Sequence, residues 1–274
     1  MDASTPTYRL AVADRLTMAA GALTVLAAGA GLLVGDLYRD APFWAQQARG
    51  TDVATLVLAV PLLAAGLMRA GQGSILGRLT VVAVLLYLVY NYAIFSFSVA
   101  MNALSAVYIA ILGLAVWSLA LAIPVLDLRG AAVALADRLP RRWSAAALIA
   151  VGLLFGLMWL GQIAAMASTG ALPTDLVRAE LPTNPVYALD LGLFLPLCIA
   201  SGIALLWGRP AGLAAFAAPM LLWLALTSAG IVGAFAFQAQ AGDEVPLPVV
   251  LLVAGIGLLT ALLSAVAAAR GVRR

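Results

Sequence analysis

Long apolar stretches alternate along this chain with short clusters of charged residues, glycine and proline. A helical crossing of a bilayer core takes roughly 20 apolar residues, so the pattern predicts eight transmembrane helices. We place these spans near residues 17–35, 53–70, 79–99, 104–126, 144–167, 187–207, 211–237 and 248–269. The predicted fold class is therefore an all-α membrane protein.

The most informative stretch is residues 78–124, which contains no charged side chain after Arg78. Its length predicts spans three and four, joined by a turn near Asn102. Counted at 100° per residue, the polar side chains of the first helix fall within roughly 60° to either side of Tyr87. They are Tyr87, Tyr90, Asn91, Ser98 and Asn102. A polar stripe in lipid has to face protein or water, so we expect it to line the interior.

Composition excludes a water-soluble fold, because 65% of the residues are hydrophobic, only 10% are charged, and the mean hydropathy is +1.08. The chain has no histidine, and all 15 basic residues are arginine. Histidine-based metal or haem sites and lysine Schiff bases are therefore excluded. The scattered arginines and a net charge of +3 do not predict a nucleic-acid partner. No enzyme motif is recognisable, and we predict no cofactor and no metal.

The arginines test the number of spans independently. With eight spans, the two ends of the chain and the connections after spans two, four and six share one side. That side holds twelve arginines: Arg9, Arg15, Arg69, Arg78, Arg129, Arg138, Arg141, Arg142, Arg209, Arg270, Arg273 and Arg274. The other side holds Arg39, Arg49 and Arg178. The positive-inside rule then predicts cytoplasmic termini, and the composition is typical of a bacterial cytoplasmic membrane protein from a GC-rich genome.

The connections predict the domain organisation. We expect one polytopic membrane domain over residues 1–274, with repeat halves 1–126 and 144–274. The amphipathic linker 127–143 is expected on the inner leaflet. Residues 36–52 are expected to form a long outer segment with a short helix at the membrane surface.

Spans two and six support the repeat, because each has a proline roughly ten residues in, Pro61 and Pro196, followed by small residues. An even number of spans separates the halves, so a duplication would be parallel, with its axis along the membrane normal.

The chain resembles a known group of membrane proteins in two of its segments. They are LLYLVYNYAIFSFSVAMNALSAVYIAILGL and NPVYALDLGLFLPLCIASGIALLWGRPAG. They resemble an uncharacterised family of bacterial, often actinobacterial, multi-span integral membrane proteins. The resemblance covers about half of the chain, through spans three, four and six. It implies an all-helical membrane fold and carries no activity.

The same topology brings polar residues from spans three to six to one depth, in the outer half of the membrane. The candidate ligand-binding residues are Tyr87, Tyr90, Asn91, Asn102, Tyr108, Gln162 and Asp190. Of these, Asp190 is predicted to be the only acid well inside an apolar run, following the Asn184-Pro185 helix start. A carboxylate at this depth marks a ligand site, or it is stabilised by the helix dipole and paired with Arg178 or Arg49. Tyr92, Trp44 and Trp143 are assigned to the aromatic belt at the membrane interfaces.

These residues lead to two hypotheses from different classes. The first is a protein that binds or transports a small solute through a polar cavity in the outer half. The alternative is a non-catalytic accessory or scaffold subunit, with a membrane protein or a second copy as partner, in which the polar stripe joins helices by hydrogen bonds. An intramembrane enzyme ranks third. The bilayer is a partner in every case.

Overall fold

The structure is a computed structural model that describes residues 6–209 and 211–272. Eight of its helices are long and apolar enough to cross a membrane, which confirms the predicted number of spans. Spans one to eight are Pro6–Leu33, Pro42–Gly71, Ile75–Ser98, Ser105–Val125, Arg141–Thr169, Pro185–Trp207, Ala211–Gln240 and Leu247–Arg270. Two short helices, Leu128–Ala136 and Thr174–Ala179, lie in connections. The described residues contain no β-strand.

Span three is the most enclosed of the eight, and span eight is the most open to the surroundings. Span one packs on span four, span two on spans three and seven, span five on span six, and span eight on span seven. The closest crossing joins spans two and seven at Gly50 and Gly233, where a Cβ on Gly50 would lie 2.0 Å from the backbone nitrogen of Ala234. Glycine is therefore required for this backbone-to-backbone approach.

Local sequence explains where the helices begin and end. The Asn184 side chain accepts a hydrogen bond from the backbone N–H of Val186 (2.9 Å), and Pro185 occupies the first turn, as predicted for span six. Ser74 caps span three in the same way, accepting from Gly77 N–H at 3.2 Å. Span five ends at Gly170, whose φ of 72° suits glycine.

Spans two and six share an irregularity that the sequence did not reveal. Each contains a five-residue π-helical segment, Thr55–Ala59 and Asp190–Phe194, and each is followed by a proline two residues later, Pro61 and Pro196. Proline has no N–H to donate and crowds the carbonyl of the preceding turn, so a widened turn relieves the helix at that point.

Side chains tie the helix ends together on two sides. On the terminal side, where spans one, three, five and seven begin, Arg78 forms a two-pronged ion pair with Asp14, and Arg141 donates to the Leu205 carbonyl at 2.6 Å. On the distal side, where residues 34–41, 99–104, 170–184 and 241–246 connect spans, Arg178 lies 4.2 Å from the centre of the Phe43 ring.

Arg273 and Arg274, which count in the arginine partition, lie outside the described residues.

Two boundary predictions are wrong, and the first is span one, which begins at Pro6 and not near residue 17. Residues 36–52 do not form a separate outer segment, because the helix that starts at Pro42 continues through the membrane to Gly71. The loop before it covers only residues 34–41. Close packing of Gly50 against span seven holds this polar stretch inside the bundle.

In the linker 127–143, Leu135 and Leu139 are buried and Val133 is exposed.

Candidate functional site

Two clusters of buried and half-buried polar and aromatic side chains each surround a carboxyl group. The Asp190 cluster consists of Tyr90, Trp159, Gln162, Tyr187, Asp190 and Trp223. The Asp52 cluster consists of Thr24, Tyr38, Asp52, Thr55, Tyr87, Tyr92 and Tyr108. Each cluster has one buried carboxyl group, from span six and span two respectively.

The carboxyl of Asp190 is the polar centre of the first cluster. It is 6% exposed, and its Oδ2 accepts a hydrogen bond of 2.8 Å from the indole N–H of Trp159. Its other oxygen, Oδ1, is buried and has no hydrogen-bond partner. The Tyr90 hydroxyl interacts with the same carboxyl. An unpartnered buried oxygen is costly, so this carboxyl is suited to accept a further donor.

Aromatic rings enclose that carboxyl. Phe194 and Trp223 stack with centroids 4.7 Å apart, and the Tyr90 ring meets them edge-on at 5.0 and 5.3 Å. On the other side the rings of Trp159 and Tyr187 lie 4.8 Å apart. A carboxylate within aromatic walls suits a small cation or a donor-bearing solute, because ring faces attract cations as well.

An open pocket of about 450 Å³ lies on the distal side beside this cluster. Its lining includes Gln162, Met166, Thr169 and Asp175. Gln162 connects the pocket to the cluster, because its side-chain oxygen accepts a hydrogen bond from the Tyr187 hydroxyl. The pocket is of the size that small ligands occupy.

The alternative of an interfacial ion pair for Asp190 is wrong for the described residues. Arg178 lies on Phe43 and 3.8 Å from the carboxyl of Asp243, and Arg49 donates to the Gly35 carbonyl at 2.8 Å. Neither arginine pairs with Asp190.

The seven predicted site residues are divided between several places. Tyr90, Gln162 and Asp190 belong to the Asp190 cluster. Tyr87 donates or accepts a 2.7 Å hydrogen bond with Thr55, and Tyr108 is 1% exposed with an unpartnered hydroxyl; both lie in the Asp52 cluster.

Asn91 and Asn102 belong to neither cluster, although the Asn102 side chain interacts with the Tyr108 hydroxyl. Asn91 is 5% exposed, and its side-chain nitrogen is buried without a hydrogen-bond partner. Asn102 is not on span three, which ends at Ser98. It lies in the turn, where its side-chain oxygen accepts from Leu104 N–H at 2.9 Å.

Sequence reasoning missed Asp52, a second buried acid, because it does not lie inside an apolar run as Asp190 does. Asp52 is 2% exposed, and its Oδ2 accepts a 2.5 Å hydrogen bond from the Tyr38 hydroxyl. A Cβ on Gly31 of span one would lie 2.0 Å from that oxygen, so only glycine leaves room for this pair. Tyr92 also belongs here at 1% exposure, which makes its assignment to the aromatic belt wrong.

Burial raises the pKa of Tyr38, which lies in the loop 34–41, and the nearby carboxyl of Asp52 raises it further. Tyr38 therefore remains a neutral hydrogen-bond donor over the ordinary pH range.

Two sequence signals could have pointed to the Asp52 cluster. One is the start of a helix at Pro42, and the other is the acid nine residues before Pro61 of span two.

Fold and site together define a class, the multi-pass α-helical membrane protein with buried polar groups between its spans. No family model, curated protein or solved structure matches this chain. Within the described residues, no group of three or more histidine, cysteine, aspartate or glutamate side chains could hold a metal ion.

Proposed function

We propose that this protein binds a small solute at the Asp190 cluster and moves it across the bacterial cytoplasmic membrane. The single observation that carries the proposal is the buried carboxyl of Asp190, with one oxygen held by Trp159 and the other unpartnered. An intramembrane carboxyl without an ion partner is costly to maintain and is typical of solute or ion pathways.

The neighbouring pocket supports the same proposal. A solute that enters the pocket first meets Gln162 and Asp175, which line it. Behind them lies Tyr187, which donates a hydrogen bond to Gln162 and whose ring is 4.8 Å from that of Trp159. This order of groups suits a small amine or another cationic solute, because carboxylate and aromatic faces both favour positive charge.

We further propose that the termini are cytoplasmic and that the halves 1–126 and 144–274 are a parallel duplication. The orientation is supported by the distribution of the 15 arginines, because 12 of them are assigned to the terminal side. Matching π-helical segments before Pro61 and Pro196 support the duplication. Transporters commonly place solute sites at broken helices between repeats, and the first residue of the second segment is Asp190.

The first test is mass spectrometry of the small molecules that purify with the protein in mild detergent. We expect one solute to be enriched with the parent protein and reduced at least tenfold with Asp190→Asn. Glu180→Gln is the matched control, since Glu180 is an exposed carboxylate on the same distal side. Equal solute content in the parent and Asp190→Asn, with both proteins monodisperse, would contradict the proposal.

A non-catalytic accessory or scaffold subunit is the second candidate. It is favoured by the 2.7 Å hydrogen bond between Thr55 and Tyr87, which joins spans two and three. Cross-linking in the native membrane separates the two candidates. A stoichiometric protein partner together with an empty small-molecule profile would favour the scaffold.

A further inference from the structure

Asp52 is a second buried carboxyl group that the proposed solute site does not use. It lies in span two, three residues before the π-helical segment, and the carboxyl is 2% exposed. The carboxyl accepts a hydrogen bond of 2.5 Å from the neutral Tyr38 hydroxyl. A buried carboxylate with a single neutral donor is poorly compensated for its lost hydration.

The charged and titratable groups around Asp52 do not neutralise it by contact. Arg49, one turn earlier, acts on it electrostatically but donates its own hydrogen bond to Gly35. The other groups that interact with it are phenols: Tyr38, Tyr87, Tyr92 and Tyr108. Span seven has no titratable side chain, and the titratable side chains of span one, Tyr8, Arg9, Asp14 and Arg15, all lie in its first ten residues.

The surroundings also make a bound metal cation a poor occupant. Oδ2 of Asp52 already accepts the hydrogen of Tyr38, and it lies against the bare backbone of Gly31. Divalent ions in proteins require several oxygen ligands, and Asp52 is the only carboxylate in its cluster.

We propose that Asp52 is a proton-binding site, which exchanges one proton with the distal-side solution through the hydroxyl of Tyr38. The proton adds to a carboxylate oxygen and changes the charge of the side chain from −1 to zero. No other reactant is consumed. This site is independent of whether Asp190 binds a solute.

An unpartnered hydroxyl makes both protonation states tolerable. When Asp52 is ionised, Tyr38 donates to it. When Asp52 is protonated, it donates to the Tyr38 oxygen, and the Tyr38 hydrogen turns toward Tyr108. The Tyr108 hydroxyl lies in a residue 1% exposed, makes no hydrogen bond in the present arrangement, and is near enough to Tyr38 and Asn102 to interact with both. The hydrogen bonds can therefore reverse direction without a large movement of the rings.

The position of Tyr38 gives the proton its route. Tyr38 lies in the distal loop 34–41, so it connects the buried carboxyl with the connections on that side. The ring of Phe95 contacts both Tyr38, at 6.0 Å, and Tyr108, at 5.2 Å, and helps to close the site. In this proposal, exchange proceeds by turning of the Tyr38 and Tyr108 hydroxyl groups, and the Asn102 side chain, which interacts with Tyr108, extends the route to the distal turn.

The test is infrared spectroscopy of the full chain in lipid nanodiscs during a pH titration, with the protonated-carboxyl C=O band as the readout. We expect a band that disappears on raising the pH, shifts in heavy water, and is absent from Asp52→Asn. Tyr38→Phe should move its disappearance to higher pH, because the ionised carboxylate then lacks its donor. Asp190→Asn is the matched control and should retain the band.

Two results would overturn the proposal. One is a set of Asp52→Asn spectra that superimpose on those of the parent at every pH. The other is a Tyr38→Phe titration that coincides with that of the parent, and this comparison decides the matter if Asp52→Asn does not fold. Loss of solute binding in Asp190→Asn with the Asp52 band intact would separate the two sites.

Discussion

The crossing of spans two and seven gives the sharpest stability prediction. In Gly50→Ala, the new Cβ would lie 2.0 Å from Ala234 N and 2.3 Å from the carbonyl carbon of Gly233. Ordinary contacts of a Cβ begin at 3.4 Å, so the two helices would have to separate by more than an ångström. The obstructing atoms are backbone, so no side-chain rotation can relieve the clash.

The cost follows from that separation. A gap of 0.5–1 Å already forfeits about a quarter to a half of the attraction between packed atoms. Overpacked cores lose about 1–3 kcal/mol, and a clash against backbone belongs at the upper end, so we expect Gly50→Ala to lose about 3 kcal/mol. The asparagine and threonine hydrogen bonds of membrane helices average about 0.6 kcal/mol and cannot compensate for it.

The assay is unfolding by sodium dodecyl sulfate in mixed micelles, followed by circular dichroism. Gly255→Ala is the matched control, because Gly255 lies on a spanning helix and a Cβ there would meet nothing within 4 Å. The control should be neutral or stabilised by about 0.5–1 kcal/mol. The reasoning is refuted if Gly50→Ala unfolds at the same detergent fraction as Gly255→Ala.

Three further predictions use the same unfolding assay. Asn184→Ala should destabilise the protein by about 1 kcal/mol, because span six loses its N-terminal cap. Asn184→Ser should be nearly as stable as the parent, since serine can also cap the helix. Equal stability of the parent and both variants would contradict the capping role. Burial raises the pKa of Asp40 despite the N–H of Ala100. The folded chain therefore binds this proton more tightly, and stability should fall as the pH rises from the ordinary carboxyl range to the raised pKa, by at most about 1.4 kcal/mol per pH unit. Asp40→Asn should lack that slope. Gly31→Ala should cost about 2 kcal/mol by disturbing the Asp52 carboxyl, which lies against Gly31, whereas Gly29→Ala, with open space around its Cβ, should not; similar values would count against the tight fit.

The sequence predicted the spans well because the requirement behind them is simple. A helix in lipid needs an apolar length, and the eight stretches that satisfied it are the eight spanning helices. The Asn184-Pro185 start of span six was predicted for the same kind of reason, since its capping chemistry is local.

The Asp52 cluster could not be predicted in this way. Its residues come from four spans and a loop, and Asp52 follows Gln46, Gln47 and Arg49 in a stretch typical of a membrane surface. Only the packing of Gly50 on span seven, and of Gly31 beneath the carboxyl, holds this stretch inside the bundle. Such contacts depend on tertiary structure and leave no periodic signal.

The polar stripe of span three was predicted as one surface, and the structure divides it. Tyr87 and Tyr90 are separated by 300° along the helix at 100° per residue, that is, by 60° around it, which is enough to direct one to span two and the other toward span six. Helical periodicity identifies a buried face, but the neighbouring helices decide how many sites that face serves.

We propose that the pocket beside the Asp190 cluster opens to the periplasm, and the binding of a solute at Asp190 depends on this access. A membrane-impermeant thiol reagent on intact cells tests it most directly, because the only cysteine, Cys198, is fully buried and gives a silent background. We predict rapid labelling of Gln162→Cys, which lines the pocket, and none of Asn91→Cys, which lies in the core. Labelling of Gln162→Cys only in inside-out vesicles, or in neither preparation, would contradict the claim.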